Sequence, residues 1–475
     1  MTGRGRIFIA ALLLALISGC AVGPDYVRPD ALLPPKWDAV DIAKPSRADD
    51  YARWWKTFND PLLDRLVREA LESNLDIRLA KVRLLDARAR LAIAYGAGLP
   101  DVNISGSLTR ARSSSNVTGR TVESPSAAGA ETDLYKAGFD AQWEIDVFGG
   151  VRRSVEAARA NSDATVEDGR AVMVSLLGEL ARNYIELRGI QRQIAIAGEN
   201  LRLEKETHEL TKVRFNAGLV SGLDGARAEA QAAETASRIP AIESSVKRAI
   251  YRIGVLLGRE PEALTAELSV PSAIPAAARE PLTGLPSELL LRRPDIRRAE
   301  KRLAAATAEI GVAEADLFPR FDLTAFLGLQ SSRAPDFFTH GSRAWSVSPG
   351  ITLPLLGRGS IRANIDARKA GREEAFLIYR STVLSALEDV ENSLNAYYSE
   401  LKRREALKQE VEAGELAVSL SNERYIKGLS GFLDVLDAER SLYSARSRLS
   451  QSETNVSTNM VALYKALGGG WETSE

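Results

Sequence analysis

Residues 135–150, YKAGFDAQWEIDVFGG, decide how the rest of the chain is read. Tyr135, Ala137, Phe139, Ala141, Trp143, Ile145 and Val147 are apolar, and Lys136, Asp140, Gln142, Glu144 and Asp146 fall between them. Successive side chains of a strand point to opposite faces, so this is a strand with one apolar and one polar face. The chain beyond it is helical. No proline occurs between Pro125 and Pro240, and residues 151–215 read as one helix about 100 Å long at about 1.5 Å per residue.

The pattern recurs. DIRLAKVRLLDARARLAIAYGAGLP (76–100) aligns with DIRRAEKRLAAATAEIGVAEADLFP (295–319), and RFNAGLVSGLD (214–224) aligns with RYIKGLSGFLD (424–434). Two matches in the same order at nearly the same offset imply an internal duplication. Each half reads as a helix (about 61–97; about 287–316), two strands separated by a polar loop, a very long helix, a Gly-containing turn and another helix. The strands are expected at about 100–110, 134–148, 319–330 and 344–356. In the first, Val102, Ile104 and Leu108 alternate with Asn103, Ser105 and Ser107. In the third, Phe321, Leu323, Ala325, Leu327 and Leu329 share a face, but Phe326 breaks the rule. In the fourth, Trp345, Val347, Ile351, Leu353 and Leu355 share a face. Leu180, Leu187, Ile194 and Leu201 lie seven apart, as do Leu387, Leu394 and Leu401, which points to coiled-coil packing. The expected layout is a first repeat over 61–257, a Pro-rich linker over 258–286, a second repeat over 287–467 and a tail over 468–475.

Residues 1–19 read as a signal peptide: Arg4 and Arg6, then an apolar run too short to span a bilayer. The run ends in Ile17-Ser18-Gly19-Cys20, the pattern of a bacterial lipoprotein cleaved before a lipid-modified cysteine. Cys20 is the single cysteine of 475 residues, so it has no disulfide partner, and lipidation at Cys20 is expected. Residues 20–60, with Pro24, Pro29, Pro34, Pro35 and Pro45, read as a lipidated, extended arm.

Composition removes other classes. With 62 basic and 63 acidic residues, and no basic stretch interleaved with aromatics, nucleic acid is excluded as a partner. His208 and His340 are the only histidines. No nucleophile elbow, P-loop or dinucleotide fingerprint occurs, so no catalytic, metal or cofactor site is expected. Four strands cannot close a membrane barrel, because an open edge leaves backbone groups unpaired in lipid. They form either a soluble sheet or a barrel pooled from several chains, two giving eight strands and three giving twelve.

The lipobox with CAVGPDYVRP, the WEIDVFGGVRR strand-to-helix junction, and the paired turns RFNAGLVSGLD and RYIKGLSGFLDVLDAERSLYSAR resemble TolC-type outer-membrane efflux channels. The lead segment points to their lipoprotein (OprM/NodT-type) branch, which serves tripartite efflux systems of the resistance-nodulation-division (RND) type. The resemblance implies a mainly α fold with membrane β: a homotrimer with a twelve-stranded outer-membrane barrel continuing into a long periplasmic α-helical barrel. It implies a passive exit duct for drugs or other small molecules, working with a periplasmic adaptor (membrane fusion protein) and an inner-membrane pump. It further implies a constricting ring from Asp434 and Asp437, a hairpin lock involving Asp224 and Tyr425, and adaptor-docking tips at Gly218, Leu219, Ser221, Gly428 and Leu429. Leu223 and Ser430 stand where known members carry lock residues. Gly149 and Gly150, with Gly357 and Gly359 in the second half, are expected to turn strand into helix. The polar face of 135–147, Asp146 included, would line water, and Trp143 and Tyr135 would sit at the lipid interface. A type I protein-secretion duct and a periplasmic coiled-coil scaffold are the competing readings.

Overall fold

The computed structural model describes residues 21–30, 34–38, 51–112, 114, 131–277 and 286–472. The expected signal peptide, Cys20, most of the first strand–strand loop, part of the linker and the last three residues lie outside the described residues. In chain order the main elements are α1 (Pro61–Ser73), α2 (Leu75–Gly96), β1 (Asp101–Arg112), β2 (Glu131–Ile145), α3 (Gly150–Asn216) and α4 (Gly222–Leu256). The second half adds α5 (Pro294–Ala315), β3 (Arg320–Ser331), β4 (Arg343–Thr352), α6 (Arg358–Ile426) and α7 (Phe432–Ala466). The long helices hold 67 and 69 residues and the helices after them 35 each, so the halves match in length as well as in motif. Helix α4 runs through Pro240 without a break.

The chain forms two compact units. The first takes 1–29, 85–164 and 300–378 and contains a single antiparallel sheet in the order β1-β2-β3-β4. Its register sorts the side chains. Ile104, Phe139, Leu327 and Trp345 fall in one cross-strand row, and Val102, Ala141, Ala325 and Val347 in another. Ile104 is 77% exposed and Trp345 76%, so this apolar face is uncovered within the chain. On the other face Asn103, Asp140, Phe326 and Ser346 form a row. The irregular Phe326 thus belongs to the polar face, where it is buried. Its ring fills the space left by Gly138 and Gly328, which pair across β2 and β3, and Lys136 Nζ sits 4.0 Å from its centroid. An aromatic covering paired glycines restores packing that the glycines lack.

The helical part of this unit packs through small residues. Ala157, Ala160 and Ala164 of α3 and Ala305, Ala308 and Ala313 of α5 are all buried.

The second unit takes 30–84, 165–299 and 379–475 and holds the large core. Trp37, Tyr51, Trp54, Trp55 and Phe58 pack there with Leu177, Leu180 and Leu187 of α3 and Val390 and Leu394 of α6. Trp54 stacks on Tyr464 of α7 with centroids 5.4 Å apart.

Four expectations are corrected. Residues 51–60 are not an extended arm: Trp54–Phe58 is a 3-10 turn, because its aromatics are buried in the core. The helix over 61–97 is two helices parted at Asn74, whose Oδ1 accepts from Asp76 N and Ile77 N at 2.8 and 3.1 Å while its Nδ2 donates to Leu256 O at 2.8 Å. That side chain caps α2 and ties it to the end of α4. Strand β2 ends at Ile145, and Asp146 turns back to cap α3, accepting from Val151 N at 3.2 Å and Arg152 N at 2.9 Å. It does not continue the water-facing row. Strand β4 ends at Thr352, before Pro354, which has no N–H for the ladder.

Replacing Gly328 tests the aromatic–glycine packing. A Cβ there would lie 2.6 Å from Gly138 Cα and 2.8 Å from the Phe326 ring. Gly328→Ala is expected to destabilise the sheet by about 1–3 kcal/mol, read as an earlier thermal transition of the detergent-solubilised protein. An unchanged transition would mean the ring does not occupy that space.

Candidate functional site

The two helical turns, α3 to α4 and α6 to α7, carry most of the candidate residues, and both lie in the second unit. They close in the same way. Gly218 and Gly428 have φ of 74° and 69°, a left-handed backbone that favours glycine. Gly218 N donates to Phe215 O and Leu219 N to Arg214 O, both at 2.9 Å. Gly428 N donates to Tyr425 O at 3.0 Å and Leu429 N to Arg424 O at 2.8 Å. This crossed pair of bonds satisfies the last carbonyls of each long helix. The next helices start differently: Ser221 Oγ accepts from Leu223 N at 3.0 Å, whereas Gly431 caps α7 without a side chain. Leu219 and Leu429 are exposed, and nothing within 4 Å crowds the Cβ position of Gly218 or Gly428.

Tyr425 is 4% exposed and packs in a small cluster with Ala228, Phe432, Val435 and Leu436, backed by Val220. The Arg214 guanidinium lies 4.6 Å from its ring centroid and the Phe432 ring 5.6 Å away. Arg214 Nη1 also donates to Ile426 O at 3.4 Å, so this side chain of the first turn holds backbone of the second. Burial pushes the Tyr425 hydroxyl above the ordinary phenol range; Arg214 opposes this and Asp224 adds to it. The structure places no hydrogen bond between Asp224 and Tyr425, and the Tyr425 hydroxyl is buried with no partner among the described residues. Sequence reasoning misses Arg214 and Phe432. A signal for Arg214 is present, since it opens the repeated motif that Arg424 opens in the second half.

Asp434 and Asp437 lie in the first two turns of α7 and are both exposed. Residues three apart share a helix face. Neither carboxylate has an ion-pair or hydrogen-bond partner among the described residues, so both are open to solvent.

The strand–helix junctions lie in the first unit. Gly149 has φ of 82°, and a Cβ there would lie 2.6 Å from Ala21 Cβ. Gly150 is the first residue of α3. In the second half Gly357 precedes α6 and Gly359 falls in its first turn; neither is crowded. The start of the arm is bound at the first junction. Val22 N donates to Phe148 O at 3.0 Å. Buried Arg153 donates to Val22 O at 3.1 Å and Gly23 O at 3.2 Å, and pairs with Asp25 at 2.7 Å. Trp143 donates its indole N–H to Gly98 O at 3.0 Å.

Comparison with known proteins agrees with this architecture. The family model described as outer membrane efflux protein matches residues 66–259 and 285–469, once in each half. The chain is 34% identical to Nodulation protein T of Rhizobium leguminosarum bv. trifolii over 457 residues, covering 96% of each. It is 33% identical to the pyoverdine export outer membrane protein OpmQ of Pseudomonas putida over 475 residues, covering 99% of each. The solved structure of the outer-membrane channel OprN superposes with a TM-score of 0.90 at 39% identity, over 95% of this chain and 100% of that one. The chain therefore belongs to the outer membrane efflux protein family, whose work is transport rather than catalysis.

Proposed function

We propose that this protein is one third of a homotrimeric exit duct in the outer membrane. Through it an inner-membrane pump of the RND type and a periplasmic adaptor discharge drugs or other small molecules. The observation that carries the reading is the four-stranded sheet: apolar and uncovered on one face, polar on the other, with β1 and β4 at its two edges. Three such sheets joined edge to edge give twelve strands with no free edge, an apolar wall toward lipid and a polar lining toward water. The uninterrupted α3 and α6 then carry the duct into the periplasm.

Lipidation of Cys20 fits the binding of the arm. Ala21 lies against Gly149 and Val22 is bonded to Phe148, so the segment that follows the proposed anchor is held to the chain at the first strand–helix junction. In this reading the gate lies at the two helical turns. Asp434 and Asp437 from three chains form a ring of six carboxylates that favours cations and resists narrowing by like-charge repulsion. The Arg214–Tyr425–Phe432 packing, with Asp224 nearby, holds the two turns of each chain together. Gly218, Leu219, Ser221, Gly428 and Leu429 offer exposed apolar and backbone surface to the adaptor.

Two experiments test this arrangement. Asp434→Asn with Asp437→Asn is expected to lower the cation preference of the channel in planar bilayers, read from the reversal potential in a salt gradient. An unchanged reversal potential would place the selective ring elsewhere. At the lock, Tyr425→Phe should cost less than about 0.5 kcal/mol, because its hydroxyl has no partner to lose. Tyr425→Ala should cost about 3 kcal/mol by emptying the cluster. Conductance should rise in Tyr425→Ala only; an equal rise in Tyr425→Phe would mean that a hydrogen bond, and not packing, closes the tip.

A further inference from the structure

Further along the helices from the tips, α3 and α7 meet through two carboxyl groups that neither the gate nor the lock uses. Glu204 of α3 is buried. Its Oε1 accepts from Asn200 Nδ2 at 2.8 Å, from Gln231 Nε2 at 2.9 Å and from Thr235 Oγ1 at 3.0 Å. The last two belong to α4. Glu204 Oε2 is buried with no hydrogen-bond partner among the described residues. Thr207, three residues on from Glu204 and so on the same face of α3, donates its Oγ1 to Oε1 of the half-buried Glu439 of α7 at 3.4 Å. Burial, and next the charge of Glu204, push the Glu439 carboxyl up to about 7.

Several cations near the pair are engaged elsewhere. On α7, Arg440 is turned to Gln231 Oε1, and Arg446 and Arg448 are paired with Glu415 and Glu410 of α6. On α3, Arg202 bridges Glu199 and Glu206, and His208 Nδ1 lies 3.3 Å from Gly225 O. None of these makes an ion pair with Glu204 or Glu439. A buried carboxylate with no ion-pair partner among the described residues makes a second negative charge beside it costly. A proton on Glu439 removes that second charge and adds a donor at the contact between α3 and α7.

We infer that Glu439, set against the buried and half-satisfied Glu204, is a proton-binding site that ties α7 to the α3–α4 hairpin, making the packing of the two hairpins pH-dependent. A carboxyl whose folded-state affinity for its proton is raised favours the folded packing most below the ordinary carboxylate range. That favour is lost as pH rises through the raised value. The tie is therefore tight in mildly acidic medium and loosens above neutrality, when the second charge appears. Its consequence for opening rests on the proposed gate at the tips; the tie itself does not.

The test is hydrogen exchange of the detergent-solubilised protein, followed over residues 431–445 from about pH 5.5 to about pH 8.5 and corrected for the intrinsic rate. Protection should fall by about tenfold or more across that range, with a midpoint near 7. Glu439→Gln, which keeps a neutral hydrogen-bonding side chain, should stay protected at both ends. Glu204→Gln, which removes the like charge, should move the midpoint to lower pH. Protection that is flat with pH, or that falls equally in all three proteins, overturns the proposal. Bilayer conductance of the same proteins separates the two claims. Exchange that titrates while conductance stays constant supports the tie and counts against gating at the tips.

Discussion

A strand with no neighbour on one side presents a row of backbone N–H and C=O groups that water must satisfy or another strand must take up. In this chain β1 and β4 are both such strands, and the sheet between them exposes Ile104, Phe139, Leu327 and Trp345 on one face. Water does not suit that face, and lipid does not suit those edges, where each unpaired group costs several kcal/mol. Closure with further copies removes the conflict. The duplication serves closure by supplying two hairpins per chain.

Each region uses the side chains its packing requires. The second unit buries large aromatics, Trp37, Trp54 and Trp55 among them, in one extended core. The helical part of the first unit meets through alanine, which lets backbones approach closely. Glycine allows closer contact still, at Gly311, where the backbone of Gly23 lies against the helix. At the tips, paired glycine caps reverse the chain twice with the same bonds. A single cationic side chain, Arg214, then joins one reversal to the other.

Features that repeat over many residues are legible from sequence alone. Strand alternation, proline-free runs and the two motif pairs give the mixed fold, the four strands and the long helices, and family membership follows from the same motifs. Features settled by one side chain are not. Asn74 divides a helix because a single amide caps one end and bonds Leu256. Asp146 continues the alternation of β2 yet serves as a cap. Phe326 contradicts its strand until the register puts it over Gly138 and Gly328. At the tip, sequence locates the turns and the exposed Asp434 and Asp437. It does not tell whether Tyr425 is held by a hydrogen bond or by packing, because that depends on which way its hydroxyl is buried.

The shared barrel depends on several chains pooling their strands. The most direct measurement is the detergent-corrected mass of the mature protein, extracted from outer membranes, by light scattering. Three chains per particle is the predicted result, since that gives a closed wall of twelve strands. A stable particle of one chain would leave β1 and β4 unpaired within the membrane and would contradict the shared barrel.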